Sequence, residues 1–257
     1  MKIVVCIKQV PDSAAKVAVE GTQVSWGDAP LVMNPWDEFA VEAALVLKEN
    51  ADAEVTAISV GGESAKEALK TALAMGCNEA ILVSDPGLAS ADSQALARTL
   101  AAAVQKIGAV DLVFFGRQSI DTDLGVTAAQ TARALQWPAL TLVSTITGVD
   151  GGKIKVERTT EEGRQVVEGK LPAVVSVSKD IGEPRYPSFM GIRKAAKAII
   201  PTWSLADLGV SGLKSVVRWP EIMNPPAREV KTEIISGDGP EDIAEKLADK
   251  ILAEKVL

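Results

Sequence analysis

The sequence lacks histidine altogether, and only two of its 257 residues are cysteine. Without imidazole, the chain has neither a Ser-His-Asp nor a Cys-His catalytic centre, and it has no histidine to bind a metal. The two cysteines, Cys6 and Cys77, stand alone in the sequence and do not form the pattern of a disulfide framework or a zinc site. We therefore expect no metal centre and no catalysis that depends on histidine.

The chain also lacks an excess of positive charge and any long apolar run. Its net charge of −7 gives no electrostatic basis for binding nucleic acid or an anionic membrane surface. No apolar run reaches the roughly 18 residues that a membrane span needs. Met1 leads directly into a strand pattern rather than into a signal or transit peptide. These features predict a cytoplasmic protein that neither binds nucleic acid nor inserts into a membrane.

In the first half of the chain, strand patterns alternate with helix patterns. Short runs rich in β-branched residues predict strands at residues 2–8, 54–60, 79–84 and 111–115. One helix is expected to begin at Pro35, with Asn34 as its N-cap. Further amphipathic patterns predict helices at residues 64–75, 90–107 and 125–135. Four strand–helix alternations predict a parallel sheet covered by helices on both faces.

The pattern changes after Pro138. Further β-branched runs predict strands at residues 141–147, 153–159, 165–170 and 173–178. The sequence Asp150-Gly151-Gly152 between the first two of these is a typical hairpin turn, so we expect an antiparallel edge on the parallel sheet. After residue 182 prolines recur, and residues 240–253 are the one clear helix pattern. We divide the chain into an α/β domain at 1–182 and a segment at 183–257, which is either a loop-rich cap on that domain or an arm that contacts a partner.

The stretch from Asp111 to Thr127 points most directly to a ligand site. Its buried strand pattern stops at Gly116, crosses a polar loop and enters a helix near Gly125. In open α/β sheets, ligands bind outside the carboxyl ends of the strands, and the amide groups of a helix N-terminus attract phosphate. We therefore predict a nucleotide-phosphate site here.

Several motifs give the chain a resemblance to a known family. They are KQVPD at residues 8–12, MNPWDEFAVEAAL at 33–45, TALAMG at 71–76, GRQSIDTD at 116–123, KLPAVVSV at 170–177 and EPRYPS at 183–188. In this order, and over almost the whole chain, they resemble the beta (small) subunit of electron-transfer flavoproteins. The resemblance implies a three-layer α/β/α, Rossmann-like fold of the adenine-nucleotide alpha-hydrolase-like type, with a mostly parallel sheet.

The same resemblance implies a non-enzymatic electron carrier. Such a beta subunit forms a heterodimer with an alpha subunit that holds FAD, and it completes the FAD site. It holds an AMP of structural role, and it carries no catalytic residues of its own. Dehydrogenases deliver electrons to the complex, and a quinone oxidoreductase accepts them.

Site residues follow from matching the family motifs position by position. The implied nucleotide-binding residues are Cys6, Asn34, Pro35, Trp36, Asp37, Val60, Gly116, Arg117, Gln118, Ser119, Ile120, Asp121, Thr122, Asp123, Leu124, Gly125, Val126 and Thr127. Gly116 would allow the backbone to approach the ligand closely, and the hydroxyl group of Thr127 would donate to a phosphate oxygen. Asp121 and Asp123 would repel phosphate, so we expect them to cap the helix or to accept from the ribose or the base. Phe189 falls where the family places the apolar anchor that enters a dehydrogenase pocket.

Three alternatives stay open at this point. KQVPD and GRQSID resemble the electron-bifurcating branch of the family, in which the beta subunit holds a second FAD, whereas MNPWDE resembles the AMP-binding branch. A stand-alone ATP- or AMP-binding module of the universal-stress type would have a similar sheet and would form a homodimer. An ATP pyrophosphatase would need a serine–glycine–glycine phosphate loop, which residues 59–64 match only incompletely.

Overall fold

The computed structural model of the chain describes residues 1–21, 23–217, 219–224, 226 and 232–254. The chain divides into two compact units, Met1–Ile222 and Met223–Leu257. Residues 183–222, which we assigned from the sequence to a C-terminal segment, are thus part of the first unit. The role of that segment in contacting a partner stays a prediction.

Most strands of the described residues belong to the α/β part of the first unit. In chain order they are β1 (Lys2–Ile7), β2 (Gln9–Pro11), β3 (Ala18–Glu20), β4 (Gln23–Ser25), β5 (Leu31–Met33), β6 (Glu54–Val60), β7 (Glu79–Val83), β8 (Leu112–Gly116), β9 (Ala139–Asp150), β10 (Lys153–Thr160), β11 (Gly163–Lys170), β12 (Ala173–Val177) and β13 (Thr202–Trp203). The predicted strands are therefore confirmed, and β3 and β4 form a small antiparallel hairpin of their own.

Helices follow the parallel strands as the sequence pattern predicts. They are α1 (Pro35–Asn50), α2 (Lys66–Met75), α3 (Ser93–Ile107), α4 (Thr127–Leu135), α5 (Phe189–Ala195) and α6 (Pro240–Ala253). Short 3-10 helices lie at Glu63–Ala65, Pro86–Leu88 and Lys179–Ile181. The sequence pattern missed α5 and β13, because both are short and lie among prolines and glycines. None of the helices in the described part of the chain is both long and apolar enough to cross a membrane.

The large sheet has nine strands in the order β11-β10-β9-β12-β8-β1-β6-β7-β13. From β9 through β12 to β13 neighbouring strands are parallel, whereas β9, β10 and β11 pair antiparallel, so the predicted antiparallel edge is confirmed. The chain runs outward from β1 to β6 and β7, and it then returns to place β8 on the other side of β1. The strand order therefore reverses between β1 and β8, which is where such sheets bind ligands.

Helices cover both faces of the sheet, which gives the predicted three layers. On one face, Ile3, Val5 and Ile7 of β1 pack with apolar residues of α1 and α2. On the other face, Val4 and Cys6 pack with apolar residues of α3 and α4. Because successive side chains of a strand point to opposite faces, one buried strand contributes to both layers of the core. The Rossmann-like α/β fold is thus confirmed.

The second unit contains helix α6. No residue of this helix is buried, and Leu247 and Leu252 expose 46% and 64% of their surface. Lys246 forms an ion pair with Asp242 one turn away. The helix predicted at residues 240–253 is confirmed.

Candidate functional site

The carboxyl ends of β1 and β8 are joined by one buried carboxylate. Asp37, in the first turn of α1, accepts the amide N–H of Lys8 at 2.8 Å through one oxygen. Its other oxygen accepts the amide N–H of Gly116 at 3.3 Å. Asp37 therefore fixes the relative position of the two strand ends at the point where the strand order reverses.

We call the carboxyl ends of β1 and β8, with the side chains of Cys6 and Asp37, the floor of the site. Burial changes the pKa values of both side chains. It raises the pKa of the Asp37 carboxyl to about 7, although the hydrogen-bond donors around the group oppose the rise. Burial, with a smaller contribution from the charge of Asp37, also raises the pKa of the Cys6 thiol well above its ordinary value. Cys6 is therefore a neutral, weakly polar group in the floor and not an activated nucleophile.

A neighbouring helix leaves no space for a side chain at Gly116. A Cβ atom at this position would lie 2.5 Å from the carbonyl carbon and oxygen of Trp36 and from Oδ1 of Asp37. Two of these three atoms belong to the backbone, which cannot move aside as a side chain can. The N-terminus of α1 thus approaches Gly116 closely, and the approach of a ligand to the Gly116 backbone stays a prediction.

Asn34 holds the loop that follows β8. It precedes α1, with Pro35 at the first helical position as predicted, but its side chain makes no capping hydrogen bond. Instead its amide nitrogen donates to the carbonyl of Gln118 at 2.8 Å, and its amide oxygen accepts from the N–H of Ile120 at 3.2 Å. The expected N-cap is thus a clamp on the loop, because these partners satisfy both ends of the amide.

The two acidic residues of the loop also have partners within the chain. Lys8 and Asp121 form an ion pair with a distance of 2.6 Å between Nζ and Oδ2. Asp123 accepts a short hydrogen bond from the side chain of Gln118. Neither carboxylate caps α4, whose N-cap residue Val126 provides no side-chain hydrogen bond. Of the two roles that we expected for these residues, capping is not observed.

The N-termini of α3 and α4 differ sharply. At α3, the carboxylate of Asp92 accepts the N–H of Ala95 at 2.8 Å, so the helix carries its own anionic cap. At α4, the N-cap residue Val126 has no side-chain capping bond, and Gly125 before it has a φ of 63°. An uncapped helix N-terminus has unpaired amide groups and partial positive charge, so an anion can take the place of a cap.

A pocket of about 350 Å³ lies at these elements. The residues predicted for nucleotide binding that line it are Cys6, Asn34, Asp37, Val60, Gly116, Arg117, Gln118, Ser119, Thr122, Leu124, Gly125 and Thr127. The remaining ones are not among the lining residues, and they are Pro35, Trp36, Ile120, Asp121, Asp123 and Val126. The structure thus brings the predicted residues to one place, and their contacts with a nucleotide stay a prediction.

The sequence analysis missed part of the lining. The missed residues are Ile7, Lys8, Ala91, Asp92, Ser93, Leu96, Leu100, Phe115, Ala128, Val217 and Trp219. Asp92 could have been found, because an aspartate just before a helix that follows a parallel strand indicates an N-cap at the same edge of the sheet. No local signal places Val217 or Trp219 here, because they are more than 80 residues distant in sequence from the rest of the lining.

Phe189 lies in a second candidate region, the docking segment, which we define as residues 183–195. It is the first residue of α5, and 74% of its surface is exposed. The hydroxyl group of Ser188 caps the helix by accepting the N–H of Gly191 at 2.9 Å. Tyr186 and Met190 are also exposed, at 94% and 70%. The docking segment therefore presents an apolar surface that the described residues do not cover.

An ion-pair cluster attaches the docking segment to α1. The guanidinium group of Arg185 donates to both oxygens of Glu42, at 2.8 Å and 2.9 Å, and to Glu49 at 2.5 Å. The backbone N–H of Arg185 also donates to Glu42 at 3.0 Å. Glu42 is buried, so this contact is more rigid than an ordinary surface ion pair.

Comparison with known proteins agrees with this arrangement. The family model described as the electron transfer flavoprotein domain matches residues 27–208. The chain belongs to the electron transfer flavoprotein family. Residues 27–208 include the loop after β8, both helix N-termini and the docking segment, so the match covers most of the site.

Individual relatives show which subunit of an electron transfer flavoprotein the chain resembles. It is 34% identical to the electron transfer flavoprotein subunit beta of Megasphaera elsdenii, over the full length of both chains. It is 38% identical to the caffeyl-CoA reductase-Etf complex subunit CarD of Acetobacterium woodii, again over both full lengths. It is 37% identical to the subunit beta of Clostridium acetobutylicum over 92% of this chain and 97% of that one. The chain is thus a member of the beta-subunit family, whose role is electron transport, and that family implies an alpha-subunit partner.

Proposed function

We propose that this protein is the beta subunit of a heterodimeric, cytoplasmic electron-transfer flavoprotein, and that its pocket holds AMP in a structural role. The alpha subunit would hold the redox FAD, whose site the beta subunit completes. The observation that carries the proposal is the uncapped N-terminus of α4 at a pocket between the carboxyl ends of β1 and β8. A phosphate would supply the missing cap.

Polar groups around α4 fit a phosphate. Thr127 and Ser119 bring hydroxyl groups to the pocket, and Gly125 allows the loop to turn tightly before the helix. Arg117 also lines the pocket, and its guanidinium carbon lies 5.7 Å from the centre of the Trp36 ring. The cation therefore rests on an aromatic surface and is not neutralised by the acidic residues of the loop.

The size of the pocket is compatible with a mononucleotide. At about 350 Å³ it lies near the lower end of the range that ligand pockets span, roughly 300–1,000 Å³. AMP is the smaller of the two candidate ligands, and a pocket of this size is compatible with it. The cofactor count described below decides between AMP and the second FAD of an electron-bifurcating flavoprotein. With AMP bound in a structural role, the pocket would not turn the nucleotide over, and the protein would not act as an enzyme.

Counting cofactors in the purified heterodimer tests the proposal. The chain is co-expressed with its alpha subunit, and released flavin and adenine nucleotides are separated by chromatography and quantified. We expect one flavin and one AMP for each heterodimer. A count of two flavins and no AMP would mean that the pocket holds a second FAD. A count of one flavin and no AMP would contradict a nucleotide site in this chain. Hydrolysis of ATP by the complex would instead support an ATP pyrophosphatase.

A charge substitution tests where the phosphate lies. Thr127→Asp places a carboxylate at the first position of α4, where it suits the helix dipole but repels phosphate. We expect AMP content to fall by about ten-fold or more, because like charges at contact distance cost over 1 kcal/mol. Thr127→Asn is the matched control, since it has nearly the same shape without the charge. If the two variants lose AMP to the same extent, or if neither loses it, the phosphate does not lie next to Thr127.

The docking segment would recognise the electron-donating dehydrogenases, while a quinone oxidoreductase would accept the electrons. An exposed aromatic residue at the start of a fixed helix has the properties of an interface hot spot, which makes Phe189 the proposed anchor. Phe189→Ala should slow flavin reduction by a partner dehydrogenase by about five-fold or more, which corresponds to a loss of at least 1 kcal/mol. AMP content should not change. Val166→Ala, a truncation of another exposed apolar residue outside the segment, is the control.

A further inference from the structure

A distant piece of chain is fastened to the N-terminus of α3. We call residues 215–217 and 219 the strap. The hydroxyl group of Ser215 donates to the carbonyl of Ser90 at 2.8 Å and accepts the N–H of Asp92 at 3.0 Å. This one side chain therefore pairs with both a donor and an acceptor in the turn that leads into α3, and it fixes where the strap begins.

The carboxylate of Asp92 makes the strongest part of the attachment. While Oδ1 caps α3, Oδ2 accepts the N–H groups of two consecutive strap residues, Val216 at 2.7 Å and Val217 at 2.9 Å. These N–H donors, with that of Ala95 first, hold the pKa of Asp92 below its ordinary value. Asp92 is therefore ionised at neutral pH, and each of its oxygens is used by the backbone.

Two strap residues consequently form part of the pocket wall. Val217 and Trp219 both line the pocket, together with Leu96 and Leu100 of α3. Trp219 exposes 70% of its surface, although large aromatic residues are usually covered in the absence of a partner. The indole ring therefore offers an open aromatic surface to whatever occupies the pocket.

The lining differs in chemistry between the two helices. At α4 it combines the hydroxyl groups of Ser119, Thr122 and Thr127 with the uncapped helix N-terminus, which suit a phosphate, although Leu124 and Ala128 also line the pocket there. At α3 the lining consists mainly of apolar side chains, with the ionised Asp92 next to them. The carboxylate of Asp92 would repel a phosphate, and it already caps the N-terminus of α3. A nucleotide that places its phosphate at α4 therefore brings its base to the apolar lining, and every base has a flat π surface that stacks on an aromatic ring.

We propose that Trp219 contacts the base of the bound nucleotide, and that Asp92 is a positioning residue that holds Trp219 in place through the strap. The inference rests on the proposed function, since it needs an adenine nucleotide in the pocket. It adds the specificity for a base, which the phosphate contacts at α4 do not provide. Trp219 would favour AMP over a sugar phosphate of the same charge.

The test compares AMP with ribose 5-phosphate, which has the phosphate but no base. Affinities for both are measured by calorimetry on the heterodimer after its own nucleotide has been removed. For Trp219→Leu we expect the affinity for AMP to fall by about ten-fold, because stacking on one aromatic side chain typically contributes this much. The affinity for ribose 5-phosphate should stay within two-fold of wild type. Trp26→Leu, at a half-buried tryptophan outside the pocket, is the control.

The positioning role of Asp92 needs a measurement that would not change if Asp92 only stabilised the fold. In Asp92→Asn the strap loses one ionised acceptor, so the Trp219 indole should become more accessible to acrylamide quenching and AMP binding should weaken by a few-fold. When Trp219→Phe is combined with Asp92→Asn, the affinity for AMP should stay as low as in Asp92→Asn alone. In the wild-type background, Trp219→Phe should keep most of the wild-type affinity for AMP. Unchanged quenching and unchanged affinity in Asp92→Asn would remove the positioning role.

The outcomes separate this inference from the proposed function. If wild type binds AMP and Trp219→Leu binds it equally well, Trp219 does not contact the base, and the nucleotide site itself stands. If Trp219→Leu weakens both ligands alike, the indole supports the fold and does not select the base, which also overturns the inference. If wild type binds neither ligand, the proposed nucleotide site fails, and the role of Trp219 fails with it.

Discussion

The floor of the pocket and the docking segment are both attached to helix α1, but through different kinds of contact. At the N-terminus of the helix, Asp37 accepts backbone N–H groups from β1 and β8 and is itself buried. Farther along the helix, Glu42 and Glu49 hold the side chain of Arg185. The first contact joins a buried side chain to backbone N–H groups of two strands, whereas the second is mainly an ion pair between side chains, one of which, Arg185, is partly exposed.

The difference matches what each region has to do. The floor must keep a fixed shape while a ligand occupies the pocket, and buried acceptors paired with backbone donors give such rigidity. Under the proposed function, the docking segment has to keep Phe189, Met190 and Tyr186 uncovered, and these side chains are exposed although the segment is attached to α1 and packs against α2. Damage to the floor should therefore change stability, and damage to the docking segment should change recognition.

The largest effect is expected for Gly116→Ala. The added methyl group would meet the backbone of Trp36 at 2.5 Å, so α1 or β8 would have to shift. We expect the free energy of unfolding to fall by about 3 kcal/mol, at the upper end of the cost of overpacking. Urea denaturation measures the change, and Gly148→Ala is the control, because a Cβ atom there meets nothing within 4 Å. Similar losses in the two variants would contradict the role of the contact with Trp36.

Asp37→Asn should change how stability depends on pH. Because burial raises the pKa of Asp37 to about 7, its contribution to stability is complete below pH 4 and is lost as the pH rises through 7. Between pH 5 and 7 the difference in free energy of unfolding between wild type and Asp37→Asn should therefore fall by about 2 kcal/mol. Denaturation curves measured across this range test the linkage. Parallel curves would mean that Asp37 ionises normally in the folded protein.

Arg185→Ala should affect both properties moderately. It leaves the buried Glu42 without its cation, which should lower the free energy of unfolding by about 1–2 kcal/mol. It also frees the base of the docking segment, so flavin reduction by a dehydrogenase should slow while AMP content stays constant. Arg193→Ala removes an exposed cation from the same segment and is the control. Loss of AMP in Arg185→Ala would show that the two regions are not independent.

The smallest effect on stability is expected for Phe189→Ala. Its side chain is already 74% exposed, so truncation should change the free energy of unfolding by no more than about 0.5 kcal/mol. Together with slower electron delivery, this result would complete the contrast with Gly116→Ala. A loss of 2 kcal/mol or more in thermal or urea denaturation would mean that Phe189 packs on its own domain.

Much of the fold could be predicted because its signals are local. The β-branched runs and amphipathic patterns fix the alternation from β1 to α4, and the Asp150-Gly151-Gly152 turn fixes the antiparallel edge. The loop after β8 could also be assigned to the site, since a strand that ends in glycine before a helix is a local pattern. Helix α5 could not be predicted, because its seven residues depend on the cap by Ser188 and on packing against α2.

Individual roles within the site were harder to predict than its position. Asn34 has the sequence context of an N-cap, yet its amide clamps the loop after β8, because that loop offers it both a donor and an acceptor. Gly116 has the context of a ligand-binding glycine, yet the carbonyl of Trp36 is the atom that needs the space. In both cases the deciding partner is distant in sequence, so a local pattern identifies an important residue without giving its reason.

The sequence by itself determined the βα order, the absence of histidine chemistry and the position of the loop after β8, because each follows from neighbouring residues or from composition. Only the tertiary structure decided that the N-termini of α3 and α4 border the same pocket, and that the N–H groups of residues 216 and 217 donate to the carboxylate of Asp92. These features depend on hydrogen bonds between groups up to 125 positions apart. Such bonds form only after the sheet and its helices have brought the groups together, and no sequence pattern encodes them.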